Sequence, residues 1–152
     1  MKVLVVDDNE ATARIIQQLI TADDRRVRTA YDGVDGYGVY LSFEPDLVIT
    51  DIDMPGKNGF ELIKKIRTHN PAIKAIYMSG NLSRFDSLLK EEKRRYHAGV
   101  LRKPFSMDDL IRLVTDNQRS LKKSHNAPRL RLLKPVAKGS IRPQGGHTPL
   151  KG

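Results

Sequence analysis

The sequence predicts an α/β protein, a doubly wound five-stranded parallel sheet with helices on both faces. Two observations carry that expectation. Short strand-like runs alternate with segments of helical periodicity five times between Lys2 and Val114, and such alternation specifies βαβ units joined by right-handed crossovers. In addition, Val3 to Val6 and Leu47 to Ile49 are apolar throughout, as strands covered on both faces must be.

Each element has its own justification. Lys2-Val3-Leu4-Val5-Val6 is a strand ending at Asp7-Asp8; Asn9 can cap the helix that follows, where Ala13, Ile16, Leu19 and Ile20 recur at helical spacing. Arg26-Val27-Arg28-Thr29-Ala30 alternates as an outer strand does. A helix is expected from about Val34 to Phe43, weakened by Gly36 and Gly38 at up to about 1 kcal/mol each relative to Ala; Pro45 ends it. Leu47-Val48-Ile49-Thr50 runs into Asp51, and Pro55, Gly56, Asn58 and Gly59 break the chain directly afterwards. Asp51 therefore lies where a buried strand gives way to a loop. Phe60, Leu62, Ile63 and Ile66 mark a helix beginning near Asn58 and closed by Pro71. Ala72 to Met78 forms a fourth strand reaching Ser79-Gly80, and Phe85, Leu88 and Leu89 sit in a charged helix that continues to Arg95. Gly99-Val100-Leu101-Arg102 is a short fifth strand, followed by Lys103-Pro104-Phe105. The last helix has Ser106 as cap, Asp108 and Asp109 in its first turn, and Leu110, Ile111, Leu113 and Val114 on its buried face.

A chain of 152 residues has room for one ordinary domain and a small extension. It contains no Cys, which excludes disulfides and thiolate metal sites. No apolar run approaches the roughly 20 residues that cross a bilayer, and the opening segment lacks a signal-peptide pattern, so a cytoplasmic protein is expected. The net charge of +9 is unevenly spread: residues 1–118 carry 18 basic and 18 acidic side chains, and residues 119–152 carry 9 basic and none acidic. That last stretch also holds Pro128, Pro135, Pro143, Pro149 and four Gly, a composition too poor in apolar surface to offset its ordering entropy. The expectation is a neutral globular domain over 1–118 and a basic, disordered tail over 119–152.

In a parallel sheet of this kind all strand C-termini lie at one edge, where open α/β folds bind ligands. Asp7, Asp8, Asp51, Ser79 and Lys103 occupy those ends. Three carboxylates brought together repel strongly, so one is protonated or a cation sits among them. With no Cys and no suitably placed His, the ligands are hard oxygens, which suit Mg²⁺ or Mn²⁺ better than Zn²⁺. One Lys cannot balance three acids, but it can pair with the oxygens of a phosphoryl group beside the cation, and a Ser hydroxyl adds a neutral donor. Phosphoryl transfer needs little beyond positioning and charge neutralisation, with a carboxylate as nucleophile.

These residues resemble the receiver domain of two-component response regulators over about residues 1–118. Val5-Val6-Asp7-Asp8-Asn9 is similar to its acidic pair, Asp51-Ile52-Asp53-Met54-Pro55-Gly56-Lys57-Asn58-Gly59 to its phosphoacceptor strand and loop, Met78-Ser79-Gly80 to its hydroxyl strand end, and Lys103-Pro104-Phe105 to its Lys-Pro turn. The resemblance implies a flavodoxin-like (CheY-like) sheet of strand order 2-1-3-4-5. It further implies that Asp51 is phosphorylated by a histidine kinase or phosphotransfer protein, and that Asp8, Asp51 and the main-chain carbonyl of Asp53 bind Mg²⁺ (or Mn²⁺), with Asp7 acting through water. Lys103 and Ser79 would hold the phosphoryl oxygens. Such a protein catalyses only its own phosphorylation and dephosphorylation. A single-domain regulator signalling by altered contact with an unknown downstream protein follows, the surface around the fourth helix, fifth strand and fifth helix being the family's usual partner face. One residue departs from the pattern: Val100 stands three residues before the Lys, where the family usually has a Tyr or Phe that swings with the hydroxyl residue.

Two other readings compete. Asp51-x-Asp53 after an apolar strand also resembles the nucleophile and general acid of haloacid-dehalogenase-type phosphatases, although that family carries the pair on its first strand. Arg129-Leu130-Arg131-Leu132-Leu133-Lys134 could give the tail weak, salt-sensitive contact with nucleic acid or an anionic surface.

Overall fold

The computed structural model describes residues 1–126. Its elements are β1 (Lys2–Val6), α1 (Glu10–Ile20), β2 (Arg26–Ala30), α2 (Gly33–Phe43), β3 (Leu47–Asp51), α3 (Gly59–Arg67), β4 (Lys74–Ser79), α4 (Asp86–Tyr96), β5 (Gly99–Arg102) and α5 (Met107–Asn126), with a 3₁₀ turn over Leu82–Phe85 ahead of α4. The strands form one parallel sheet in the order β2-β1-β3-β4-β5. The first crossover runs outward on one side of β1 and the later ones run on the other, so β1 and β3 lie side by side at the point where the direction of winding reverses.

Side-chain alternation along the strands divides the core. Val3, Val5, Leu47, Ile49, Ile76 and Met78 pack with Ile16 and Ile20 of α1 and Leu110 and Val114 of α5. Leu4, Val6, Val48 and Tyr77 pack on the opposite face with Leu62, Ile63 and Ile66 of α3 and Leu89 of α4. Asn9, Asn58 and Ser106 cap α1, α3 and α5 as their sequence positions predict, each accepting a backbone N–H three residues on. Gly36 lets α2 approach the sheet, since a Cβ there would stand 3.2 Å from both Leu62 and Val6; its helix-weakening effect is offset by the packing that close approach allows.

Leu88 and Leu89 lie in the charged helix as expected, with Phe85 in the 3₁₀ turn just ahead of it; Leu88 is 53% exposed and Leu89 buried, because adjacent helical residues project about 100° apart. One expectation is revised. The last helix does not stop near residue 118: α5 continues through 119–126 to Asn126, into the stretch whose composition suggested a disordered tail. Long-range polar contacts hold this extension. The Gln118 amide donates to Asp24 Oδ2 (2.6 Å) and accepts from Arg25 Nε (2.8 Å), and Lys122 lies 3.8 Å from Asp24. The basic segment Arg129 to Lys134, and the rest of the expected tail over 127–152, lie outside the described residues.

A half-buried polar cluster joins α3, β4 and α4. The Tyr77 hydroxyl donates to Glu92 Oε2 (2.8 Å), Arg67 Nη1 donates to Glu92 Oε1 (2.7 Å), and the Arg67 guanidinium stacks 3.4 Å from the centre of the Tyr96 ring. Burial, reinforced by the neighbouring Glu92 charge, pushes the Tyr77 hydroxyl well above the ordinary phenol range, so it remains a donor.

Candidate functional site

The parallel register brings the ends of β1, β3, β4 and β5 to one edge. Val6 pairs with Thr50, Asp51 with Met78, and Ser79 with Arg102, so the residues that follow each strand face a common crevice. The β3–α3 loop folds back on itself there: Gly59 N–H donates to the Ile52 carbonyl (3.1 Å), and Ile52 N–H donates to the Met78 carbonyl (2.9 Å). Gly59 permits this, because a Cβ at that position would collide with the Asp51 carbonyl oxygen and press on the Thr50 methyl.

Asp7, Asp8 and Asp51 meet in this crevice, each with a carboxylate oxygen within 4.8 Å of the other two. Asp7 is fully buried, Asp51 is 6% exposed, and Asp8 is exposed. Asp7 accepts the Asn9 N–H through Oδ1 (2.9 Å) and the Lys103 ammonium through Oδ2 (2.6 Å). The same ammonium lies 3.5 Å from Asp51 Oδ2. Lys103 is held there by its own backbone, whose N–H donates to the Ser79 carbonyl (2.8 Å).

One cation among three acids leaves the crevice electrostatically incomplete. Burial pushes the Asp51 carboxyl up, Lys103 pulls it back, and Asp7 and Asp8 push it further, leaving it at about 6. Burial acts to lower the Lys103 ammonium, but Asp7 and Asp51 more than offset this and hold it above the ordinary lysine value. A divalent cation relieves both the burial cost and the mutual repulsion of the acids. The donor set, three carboxylates with one face open to solvent at Asp8, fits a hard ion that keeps some of its waters, such as Mg²⁺ or Mn²⁺.

Ser79 and Asp53 reach the site differently from the sequence reading. The buried Ser79 hydroxyl donates to Asp53 Oδ2 (3.0 Å) and accepts the Asn81 N–H (3.0 Å), while Arg84 Nη1 lies 3.4 Å from Asp53 Oδ1. The sequence reading used only the main-chain carbonyl of Asp53 and missed its carboxylate as the partner of Ser79. The signal was available in outline, since Asp51 and Asp53 are two apart, the spacing at which side chains share one face of an extended segment. Arg84 has no such signal, because its approach depends on how the 3₁₀ turn folds over the edge. An Asp53 carboxylate already engaged by Ser79 and Arg84 is poorly placed to serve as the free general acid that the phosphatase reading requires.

Comparison with known proteins agrees with this geometry. The chain is 28% identical over 130 residues to the sensor histidine kinase RcsC of Escherichia coli (strain K12), an alignment covering 84% of this chain and 13% of that much longer one. Among solved structures it is similar to the Francisella response regulator 1452 receiver domain, with 28% identity, a TM-score of 0.67 and coverage of 79% of this chain and 98% of that one. It is also similar to the Vibrio cholerae chemotaxis protein CheY4, with 26% identity, a TM-score of 0.66 and coverage of 76% and 96%. A family model described as the response regulator receiver domain matches residues 3–115, most of the chain, and the protein belongs to that family of two-component signalling domains.

Proposed function

We propose that Asp51 is the phosphoacceptor of a single-domain response regulator, taking its phosphoryl group from a histidine kinase or phosphotransfer protein in a Mg²⁺-dependent reaction and signalling through altered contact with a downstream protein. The observation that carries this reading is the convergence of Asp7, Asp8, Asp51 and Lys103 at the switch point of the sheet. An Asp51 oxygen attacks phosphorus, the new acyl-phosphate bond forms as the P–N bond of the donor phosphohistidine breaks, and the imidazole leaves with the electron pair. Lys103 follows the charge from Asp51 to the phosphoryl oxygens while Asp7 keeps its ammonium in place. Ser79 joins by turning its hydroxyl from Asp53 to the same group.

Asp8, Asp51 and the main-chain carbonyl of Asp53 would hold Mg²⁺ or Mn²⁺, with Asp7 acting through water. Bound there, the ion supplies the positive charge that lets a carboxylate and a phosphoryl group approach. The only chemistry in this reading is the domain's own phosphorylation and dephosphorylation, carried out in the cytoplasm where such kinases present their phosphohistidine. Among the described residues, no helix is long and apolar enough to cross a membrane.

The test is acetyl phosphate treatment with and without Mg²⁺, read by intact mass. Wild type gains one phosphoryl group only with the ion, and Asp51→Asn gains none. Equal uptake by the variant, or no uptake by wild type, removes the proposal.

A further inference from the structure

α2 differs from its neighbours in what it shows outward. Val34, Gly38 and Leu41 recur at helical spacing and centre its outer face, with Val34 70% and Leu41 56% exposed. Asp35 is the one charged side chain within the helix, whereas the outer surface of α4 is built from Lys90, Glu91, Arg94 and Arg95. The inner face of α2 is already in use, through Gly36 and the buried Phe43. A helix apolar on both faces has the composition of an interior element, and among the described residues nothing covers its outer face.

The middle of that face is open. A Cβ built on Gly38 meets nothing within 4 Å, so the position is a dent between Val34 and Leu41. If two copies of α2 pack antiparallel about Gly38, the Val34 end of each lies against the Leu41 end of the other, and the paired glycines let the two backbones approach.

The charges at the two ends of α2 complement each other in that arrangement. At the N-terminal end stand Asp32 and Asp35, together with Lys57, whose Cβ would lie 2.9 Å from a Cβ on Gly33. At the C-terminal end stand Glu44, the residue that caps the helix, and Arg28, whose guanidinium is 4.7 Å from the centre of the Phe43 ring. None of these five charges forms an ion pair among the described residues. Antiparallel pairing directs Asp32 and Asp35 toward the other copy's Arg28 and Lys57 toward its Glu44, and it opposes the two helix dipoles favourably. Parallel stacking would set like charges against like.

We propose that the outer face of α2 is a self-association surface, on which a second copy of this chain packs its own α2 antiparallel about Gly38. The inference goes beyond the phosphoacceptor reading and stands or falls without it. Two helices of 11 residues, each about 16 Å long, cover less than a standard interface. The dimer is therefore weak, with a Kd on the order of 100 μM.

The test uses sedimentation equilibrium of the full-length protein up to about 1 mM, well above that Kd. Wild type should dimerise, and Leu41→Glu, which places an acid opposite the other copy's Asp35, should weaken the dimer about tenfold. Lys57→Glu and Glu44→Lys should each weaken it about threefold, and the double variant should recover the wild-type value, because the swapped charges still meet across the two-fold axis. The chain contains no Cys, so single-Cys variants report which faces meet. A short bismaleimide should link Gly38→Cys at least about fivefold faster than Gln18→Cys on α1 or Lys90→Cys on α4, since packed helix axes lie only about 8–10 Å apart. A monomer at the highest concentration would overturn the proposal and leave the face to a different protein. Equal or faster linking through α1 or α4, or a charge swap that brings no recovery, would overturn it as well.

Discussion

Replacing Asp51 by Asn should stabilise the metal-free protein, and the pH dependence of the gain is fixed by the site. The carboxyl titrates at about 6 in the fold and near 3.9 in an unfolded chain. The folded state therefore binds this proton more tightly, and stability falls as pH rises from about 4 through about 6. Roughly two pKa units at 1.36 kcal/mol each give about 3 kcal/mol lost by neutral pH. Asn matches the protonated carboxyl in shape and cannot ionise, so the variant avoids that loss. Because the Asp7 and Asp8 carboxylates act on Asp51 from within 4.8 Å, the measured difference belongs to the cluster. Urea unfolding in EDTA should show the variant ahead by up to about 3 kcal/mol near pH 7.5 and level with wild type near pH 4. Adding Mg²⁺ should narrow the gap at neutral pH, since the ion binds the intact acid cluster more tightly than the variant. A variant no more stable than wild type near pH 7.5, or a gap that widens toward acid, would refute the electrostatic account of the crevice.

Other perturbations separate the parts of the structure. Lys103→Met leaves the buried Asp7 carboxylate without its cation and should cost about 2 kcal/mol in EDTA, together with slower uptake of phosphoryl from acetyl phosphate; unchanged unfolding would show that water already screens Asp7. Gly59→Ala forces a Cβ against the Asp51 carbonyl and should cost about 2 kcal/mol, with weakened Mg²⁺ binding by isothermal titration calorimetry as the second readout; a variant normal in both would mean that the loop yields. Glu92→Ala strips Arg67, two of whose guanidinium nitrogens are buried, of its carboxylate and should cost about 3 kcal/mol, whereas Tyr77→Phe removes one donor and should cost about 1 kcal/mol. Thermal or urea unfolding ranks the two, and the reverse order would contradict the assignment of Glu92 as the centre of that cluster.

The elements were legible because their causes are local. Apolar runs, helical spacing and the caps Asn9, Asn58 and Ser106 act within a few residues, and βαβ alternation then restricts the winding enough to bring Asp7, Asp8, Asp51, Ser79 and Lys103 to one edge. What was not legible has a different cause. Leu88 and Leu89 are equally apolar, and only the direction in which α4 lies on the sheet buries one of them. Composition alone cannot extend α5 to Asn126, because Asp24 and Arg25, which hold Gln118, are more than 90 residues away in sequence. Glu92 reads as one more charge in a charged helix until Arg67 and Tyr77 arrive from α3 and β4.

What the sequence determined by itself is therefore which segments become strands and helices and which side chains end each strand, since those follow from periodicity and turn chemistry along a single stretch. Tertiary structure alone decided that the Ser79 hydroxyl belongs to Asp53, that Lys103 binds Asp7 more closely than Asp51, and that Glu92 gathers Tyr77 and Arg67. Each of those is a distance between atoms on different elements, set by how the helices pack on the sheet.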